Sequence, residues 1–296
     1  MTPQTLQSLS DQLAALVESA GASVVQVASR HGRPVSGIVF DSERVLTSAH
    51  ALERGDTVRV RDAAGEVRKA ELLGADPSSG LAVVRVSGLT PGALQAAPPA
   101  RTGQLALSLG RTMSGALAAS AGIVSAIGGP FRTGRGPALE QVLRADVRVH
   151  PLGAGGPLLD GTGRVLAVAT GAILRGQPLF IPAATAWPLA EAIQAHGRIK
   201  RGYLGVSGQP VPLPERQRGG RSQQGALLVA GVAPGSPAEQ AGVLVGDLIV
   251  AFDGQSVEDH DALLALLGSE RIGKGMPIEV SRGGELRTLT VVVAER

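Results

Sequence analysis

The chain of 296 residues is long enough for two ordinary domains. With 44% hydrophobic and 18% charged residues it can bury a sizeable core, so a disordered protein is excluded. The sequence has no cysteine, which excludes disulfides, thiolate metal sites and a cysteine nucleophile. The net charge is +3, and the sequence has no run of five basic residues, so we expect no nucleic-acid partner.

Glycine is the outlier of the composition. The chain has 41 glycines, about twice the usual share, and aromatic residues make up only 2%. This combination favours an all-β chain with many tight turns. No stretch approaches the ~18 apolar residues of a membrane span, and the first residues lack the basic start of a secretory signal. As written, the sequence predicts a cytoplasmic protein; an N-terminus that had been trimmed would make it periplasmic or otherwise extracytoplasmic.

The first 21 residues predict a helix. Thr2 can cap it and Pro3 suits its first position, and Gly21 ends the pattern. Apolar residues recur at helical spacing, namely Leu6, Leu9, Leu13, Leu16 and Val17. Two interpretations stay open at this point: the helix packs on the first domain, or it contacts another subunit.

Residues 22–199 show short strands separated by turn clusters. Examples are residues 24–27, 37–40, 58–60, 81–86 and 165–168. Their spacing is typical of barrels and sandwiches. Residues 183–196 predict a helix, with Gly197 as its stop signal.

Residues 200–296 predict a second, smaller domain of mixed strands and helices. Strands are expected at 227–229 and 248–252, with a short helix between them that Ser236 caps. A longer helix is expected at about 259–267, and a hairpin turns at Gly283 and Gly284.

Three segments carry a family resemblance. Residues 37–50, ending in Thr47, Ser48 and His50, resemble the histidine region of trypsin-like serine proteases of the high-temperature-requirement (HtrA) type. Residues 76–83 resemble the aspartate segment of that family, and residues 150–158 its nucleophile loop. Residues 232–242 and 246–249 resemble the signature of a PDZ domain. The resemblance implies an all-β double barrel of the trypsin type followed by an α+β PDZ domain.

The catalytic positions depart from the family pattern. The resemblance places the catalytic base at His50, but the aspartate position is Gly80 and the nucleophile position is Ala154. Glycine cannot orient a histidine, and alanine has no oxygen to attack a carbonyl. In the oxyanion loop, represented by Leu152 and Gly153, leucine stands where the family has a glycine. Phe180 stands where the family has a small residue, which suggests either a filled specificity pocket or a core position.

The PDZ resemblance implies a groove for peptide C-termini. Its carboxylate-binding loop would be Tyr203, Leu204, Gly205 and Val206. The helix from Asp259 would form the other wall through His260 and Leu264, unless its leucines only fill the core.

Together these features predict a protease homologue without proteolytic activity that binds polypeptides, and that assembles with itself or with an active relative. A working endopeptidase with a rearranged site is the main alternative, and a purely structural module is the third. A free hydroxyl within reach of His50 would favour the enzyme. No cofactor and no metal ion are expected.

Overall fold

The computed structural model describes residues 3–29, 32–52, 57–76, 79–89, 94–129, 139, 141–174, 177–197, 202–215, 218 and 222–295. The chain divides into two compact units, Met1–Ile199 and Lys200–Arg296. Each unit buries hydrophobic clusters of its own.

Helix α1, Pro3–Gly21, opens the first unit. Its inner face packs on a cluster of the second barrel through Leu13, Leu16 and Val17. Its C-terminal end is held by Arg111, whose Nη2 donates to the Gly21 carbonyl at 2.6 Å. The helix therefore packs on its own domain, which is the first of the two interpretations. The predicted cap, Thr2, lies outside the described residues.

Six strands close the first barrel in the order β1-β2-β3-β6-β5-β4. Their apolar residues alternate between the barrel interior and its surroundings, as the period of two in a strand requires. Val25, Val45, Val60 and Val84 are among the fully buried residues of the interior. The strands are β1 Val24–Ala28, β2 Val35–Val39, β3 Arg44–Ser48, β4 Val58–Arg61, β5 Val67–Asp76 and β6 Leu81–Arg85.

The second barrel repeats this arrangement with six strands in the order β10-β11-β12-β9-β8-β7. The strands are β7 Leu105–Arg111, β8 Leu117–Gly128, β9 Val142–Ala145, β10 Pro157–Leu159, β11 Val165–Leu174 and β12 Gln177–Pro182. Helix α2, Ala183–His196, follows and ends at Gly197, which adopts the left-handed conformation that favours glycine. The predicted helix and its stop signal are thus observed.

The described part of the second unit contains a six-stranded sheet, a separate two-stranded sheet formed by its first and last strands, and two α-helices. Its strands are β13 Gly202–Tyr203, β14 Val206–Pro212, β15 Gly225–Val232, β16 Leu248–Phe252, β17 Gln255–Ser256, β18 Gly275–Arg282, β19 Glu285–Val292 and β20 Ala294–Glu295. Its helices are α3 Pro237–Gln240 and α4 His260–Leu266. Ser236 caps α3 as expected, and Asp259 caps α4 through a bond from the Ala262 N–H at 2.7 Å.

Strand order fixes which edge of this sheet is exposed. The main sheet runs β14-β15-β16-β18-β19, so β14 lies at its edge. The predicted hairpin joins β18 to β19 through Gly283 and Gly284, both at positive φ. The core contains Leu227, Ile249, Phe252 and Ile278. Two closed barrels followed by a smaller unit of strands and helices confirm the predicted fold class.

Candidate active site and peptide groove

His50 lies immediately after β3, in a single 3-10 turn, Ala49–Ala51. Ser48 caps this turn, and its Oγ accepts a bond from the His50 N–H at 3.4 Å. The imidazole is solvent-exposed. The end of β3 therefore presents a histidine at the surface of the barrel.

The hydroxyl of Ser48 also contacts the histidine ring. Its Oγ lies 3.3 Å from Nδ1 of His50. In a serine-protease triad, Nδ1 of the histidine donates a hydrogen bond to the orienting carboxylate, while Nε2 faces the nucleophile. Ser48 itself is fully buried. The hydroxyl near His50 thus has the position of an orienting group, and it carries no charge to stabilise an imidazolium.

Gly80 faces the imidazole from the neighbouring turn. The Ala49 N–H donates to the Gly80 carbonyl at 2.8 Å, which joins the two loops. A β-carbon built on Gly80 would lie 3.1 Å from Cε1 of His50. A side chain at this position would therefore start directly against the ring. Gly80 has φ +72°, a backbone conformation that residues other than glycine, asparagine and aspartate seldom adopt.

Asp76 belongs to the turn that carries Gly80. Its Oδ2 accepts a bond from the Ser79 N–H at 2.9 Å, and its carbonyl accepts the Gly80 N–H at 2.9 Å. These bonds are those of an Asx-type turn. Asp76 therefore shapes the loop beside His50.

The loop containing Ala154 connects β9 to β10 and docks on the first barrel. The Ser36 N–H donates to the Ala154 carbonyl at 3.0 Å, and the Ser36 hydroxyl donates to the Leu152 carbonyl at 2.8 Å. Gly155 has φ +83°, and a β-carbon there would lie 2.3 Å from the Ser36 carbonyl and 2.7 Å from the Ser48 nitrogen. The structure thus brings the loop of Ala154 against the segment of His50.

The backbone N–H at the oxyanion position already has a partner. The Leu152 N–H donates to Nδ1 of His150 at 3.1 Å, which requires a neutral ring with its proton on Nε2. The Gly153 N–H donates to the His150 carbonyl at 2.7 Å in the same turn. The β-carbon of Leu152 belongs to a buried side chain, with 7% of the residue exposed. In this conformation, residue 152 offers no N–H to a carbonyl oxygen.

Phe180 lies in the core of the second barrel. It is fully buried, and it pairs across strands with Leu143 and Ala169. It packs in one cluster with Val124, Leu158 and Leu166. Of the two interpretations that the sequence left open for this residue, the core position is the one observed.

The predicted carboxylate loop lies between β13 and β14. Gly205 has φ +84°, and a β-carbon on it would lie 2.2 Å from Cβ of Ser236, so the loop requires glycine there. The Gly205 carbonyl accepts the Ala233 N–H at 2.8 Å, and the Leu204 carbonyl accepts the Ala238 N–H at 2.9 Å. Leu204 is buried in the core, and Tyr203, Gly205 and Val206 are the partly exposed residues of the loop.

Helix α4 packs against β14, and its predicted groove residues are more exposed than its core residues. Leu263 and Leu267 are buried in the core cluster. His260 and Leu264 are half-buried. The Nδ1 atom of His260 is buried and makes no hydrogen bond among the described residues. Leu264 also packs against the core cluster, so it contributes to the core as well as to the half-exposed face of the helix.

Sequence reasoning gave no role to Ser48 or to His150. A serine two residues before a histidine is a signal for a capped turn, and it could have directed attention to Ser48. The bond between His150 and Leu152 has the same two-residue spacing as an Asx turn, but histidine is not a usual residue for that turn. The sequence offered no signal for it.

Comparison with known proteins identifies the family. Residues 35–168 match the trypsin-like peptidase domain, and residues 202–293 match the PDZ domain. A probable periplasmic serine endoprotease DegP-like of Halomonas elongata is 30% identical over 265 residues, covering 87% of this chain and 55% of that protein. The chain is a homologue of the HtrA/Deg-type serine proteases. The putative serine protease HhoB of Synechocystis is 29% identical over 270 residues, with 86% of this chain and 65% of that protein covered.

Solved structures of HtrA-type proteases share the fold over nearly the whole chain. HtrA-type protease AlgW with decapeptide superimposes with a TM-score of 0.80 at 25% identity, over 96% of this chain and 98% of that one. AlgW with tripeptide gives a TM-score of 0.77 at 27% identity, over 96% and 97%. The chain spans little more than half the length of the DegP-like relatives. No helix in the described part of the chain is long and apolar enough to cross a membrane.

Proposed function

We propose that this HtrA homologue binds the C-terminal segments of polypeptides through its PDZ unit and does not hydrolyse them. The observation that carries the proposal is the contrast between its two sites. At the barrel site, Ala154 has no nucleophilic oxygen. At the PDZ unit, an edge strand runs beside a glycine loop and a helix, the arrangement that peptides use to add a strand to a sheet.

The geometry around His50 supports the loss of hydrolysis. Removing the nucleophile of a serine-protease triad costs about 10⁶-fold in turnover, and removing the whole triad costs about the same. A residual rate would come from the oxyanion hole. The bond from the Leu152 N–H to His150 removes one donor from that hole. Removal of one such donor costs about 10²–10³-fold in other serine proteases.

One observation favours the alternative of a working endopeptidase. The Ser48 hydroxyl lies 3.3 Å from Nδ1 of His50. The names of the relatives, serine endoprotease and putative serine protease, agree with this alternative. A nucleophile, however, must reach a substrate carbonyl, and Ser48 is fully buried. Its hydroxyl also accepts the backbone N–H of His50 as a helix cap. We therefore assign Ser48 the role of orienting His50.

Digestion of unfolded casein distinguishes the two functions. We expect no cleavage by the wild-type protein beyond that of a His50→Ala variant purified in the same way. The matched variant controls for contaminating proteases, because their activity does not depend on His50. Cleavage by the wild type that disappears in His50→Ala would contradict the proposal, and its loss in Ser48→Ala would then identify Ser48 as a participant.

The PDZ unit supports peptide binding through its backbone and its groove walls. Residues 203–206 form the turn where successive N–H groups can converge on a carboxylate, and Gly205 permits the close approach. His260 and Leu264 of α4 are half-buried, and we propose that they form the other wall of the groove. Burial of one apolar side chain contributes ~1.5–3 kcal/mol. Micromolar affinity, about −8 kcal/mol, therefore also needs the strand bonds and the carboxylate contact.

Calorimetry with a free and an amidated peptide tests this binding. For a peptide with an apolar last residue, we expect amidation of the C-terminus to weaken binding at least tenfold. Gly205→Ala should abolish binding, because its β-carbon would meet Ser236. Gly235→Ala is the matched control, since Gly235 also has positive φ (+70°) but open space around it. Equal affinity for the free and amidated peptides would contradict the carboxylate loop.

The names of the relatives also suggest where the protein acts. Their name, periplasmic serine endoprotease, supports a periplasmic location rather than the cytoplasmic one expected from the sequence as written. We further propose that the protein forms homo-oligomers or assembles with an active relative. Fractionation of the native host and size-exclusion chromatography with light scattering would test these two points.

A further inference from the structure

The outer edge of β14 is interrupted by proline. This edge would receive the peptide, so the inference rests on the function proposed above. Two prolines, Pro210 and Pro212, lie in this strand, and both are exposed. Proline has no N–H, and it is tolerated in a sheet where its nitrogen faces away from the neighbouring strand.

The register of β14 shows which residues face outward. Gly208 lies opposite Val229 on β15. The Val229 N–H donates to the Asp247 carbonyl at 2.8 Å, and its own carbonyl accepts the Gly246 N–H at 2.9 Å. Both polar groups of Val229 therefore point away from β14. In an antiparallel pair, opposite residues are either both bonded to each other or both turned away. The polar groups of Gly208 thus face the free edge.

Bonds at both ends of the strand confirm this alternation. The Gly205 carbonyl accepts the Ala233 N–H, so Gly205 faces inward and Val206 faces outward. At the other end, the Leu213 N–H donates to the Gln224 carbonyl at 2.7 Å, so Pro212 faces outward. The outward set is Val206, Gly208, Pro210 and Pro212.

The outer edge of β14 therefore offers two N–H donors, at Val206 and Gly208, and none at the two prolines. A peptide held by its carboxylate at residues 203–206 runs antiparallel to β14. Since bonded pairs recur every two residues, its last residue lies opposite Val206 and its third-last opposite Gly208. The fifth-last residue lies opposite Pro210, whose carbonyl still faces the edge but whose N–H is replaced by a ring carbon that keeps the peptide backbone at a distance.

We propose that Pro210 ends the recognition strand, so that the PDZ unit reads the last three residues of a polypeptide and gains nothing from residues further upstream. Any chain with a suitable C-terminal tripeptide would qualify as a ligand. The same prolines prevent continuous pairing of this edge with a long strand of another chain.

Peptide length tests the proposal on the full chain. The probes are an acetylated tripeptide and an acetylated pentapeptide that share their last three residues and end in valine. For the wild type, we expect dissociation constants within about twofold of each other. Pro210→Ala, which supplies the missing N–H, should lower the dissociation constant of the pentapeptide by roughly twofold to tenfold, the effect of one backbone hydrogen bond. It should leave the tripeptide unchanged.

Pro212→Ala is the matched control, because Pro212 faces the same edge but lies beyond a pentapeptide. A second measurement needs no protein variant. Methylation of the backbone nitrogen of the third-last residue removes its bond to the Gly208 carbonyl and should weaken binding at least tenfold. Methylation at the fifth-last residue should change affinity by less than twofold.

The outcomes separate this inference from the function on which it rests. A wild-type pentapeptide that binds ten times more tightly than the tripeptide, or that is equally sensitive to methylation at both nitrogens, would overturn the role of Pro210 while peptide binding stands. Absence of binding by both peptides would overturn the two together.

Discussion

At the scale of single residues, three positions underlie the proposed loss of hydrolysis at the barrel site. Ala154 has no hydroxyl, Gly80 has no carboxylate, and the Leu152 N–H is bonded to His150. The first two losses are matters of composition. The third is a matter of conformation, because leucine also has an N–H, and its direction depends on the turn.

Restoring the nucleophile alone should give little activity. A triad without its carboxylate loses about 10⁴-fold in turnover, since the histidine takes the wrong tautomer. For Ala154→Ser we expect labelling by a fluorophosphonate probe that is close to the wild-type background. Adding Gly80→Asp should accelerate labelling markedly, because the new side chain starts against the His50 ring. Aspartate tolerates the positive φ of residue 80 better than most residues.

The oxyanion position should then limit the double variant. Adding His150→Ala frees the Leu152 N–H and should raise labelling again, within the 10²–10³-fold that one oxyanion donor contributes. His196→Ala is the control, because His196 lies at the end of α2.

Equal labelling of Ala154→Ser with and without Gly80→Asp would show that the missing carboxylate is not the defect.

At the scale of elements, one ion pair stabilises the second unit. Asp247, with 1% of its surface exposed, binds Arg282 through two bonds of 2.7 and 2.8 Å. Arg282 also donates to the Gly242 carbonyl, and the Leu244 N–H donates to Asp247. This network joins the start of β16 to the end of β18 and to the loop after α3.

The network makes stability depend on pH. Burial raises the pKa of Asp247, but the hydrogen bonds from Arg282 and from the Leu244 N–H outweigh it, so the pKa is held below the ordinary value of the carboxyl group. A carboxyl group with a lowered pKa stabilises the fold above its pKa in the unfolded chain, about 3.9, and loses that effect as pH falls through the folded pKa.

Asp247→Asn should therefore be less stable than the wild type by about 2 kcal/mol at neutral pH. This is less than the ~3–5 kcal/mol of a fully buried pair, because Arg282 remains 27% exposed. Urea unfolding between pH 2 and pH 7 should show the difference between the two proteins shrinking below about pH 4. Asp41 and Asp62 also have lowered pKa values, so they too reduce the stability of both proteins at low pH. The informative quantity is therefore the difference in unfolding free energy between the wild type and Asp247→Asn. A constant difference across this range would contradict the role of the ionised pair.

At the scale of the whole molecule, each of the two units encloses its own core. Leu46 is fully buried in the first, and Leu263 is 1% exposed in the second. Units with separate cores can fold as separate cooperative blocks. Two buried leucines of similar exposure therefore provide a matched pair of probes.

Differential scanning calorimetry of the full chain should resolve two transitions. Leu46→Ala should lower the midpoint temperature of one transition, and Leu263→Ala that of the other. Each change should reduce the free energy of unfolding of its unit by the ~2–5 kcal/mol of a buried Leu→Ala change. The shift should be larger for Leu263→Ala, since a smaller unit loses ~4–8 °C per kcal/mol and a larger one ~2–4 °C. Equal shifts of one common transition by both variants would show that the chain unfolds as a single block.

The sequence by itself determined the architecture and the family. Strand spacing, turn residues and caps such as Ser236 act locally, so they can be read along the chain. The absence of an oxygen at Ala154 is likewise a property of one residue.

Only the tertiary structure decided which groups meet across long separations. The bond from Ser36 to Leu152 joins residues far apart in sequence, and Phe180 could have faced a pocket or the core until its barrel neighbours were known. The outward direction of Pro210 depends on the register between β14 and β15, which shifts beside Gly208. A shift of one residue would turn the prolines toward β15 and move the N–H donors, so no local pattern could specify this edge.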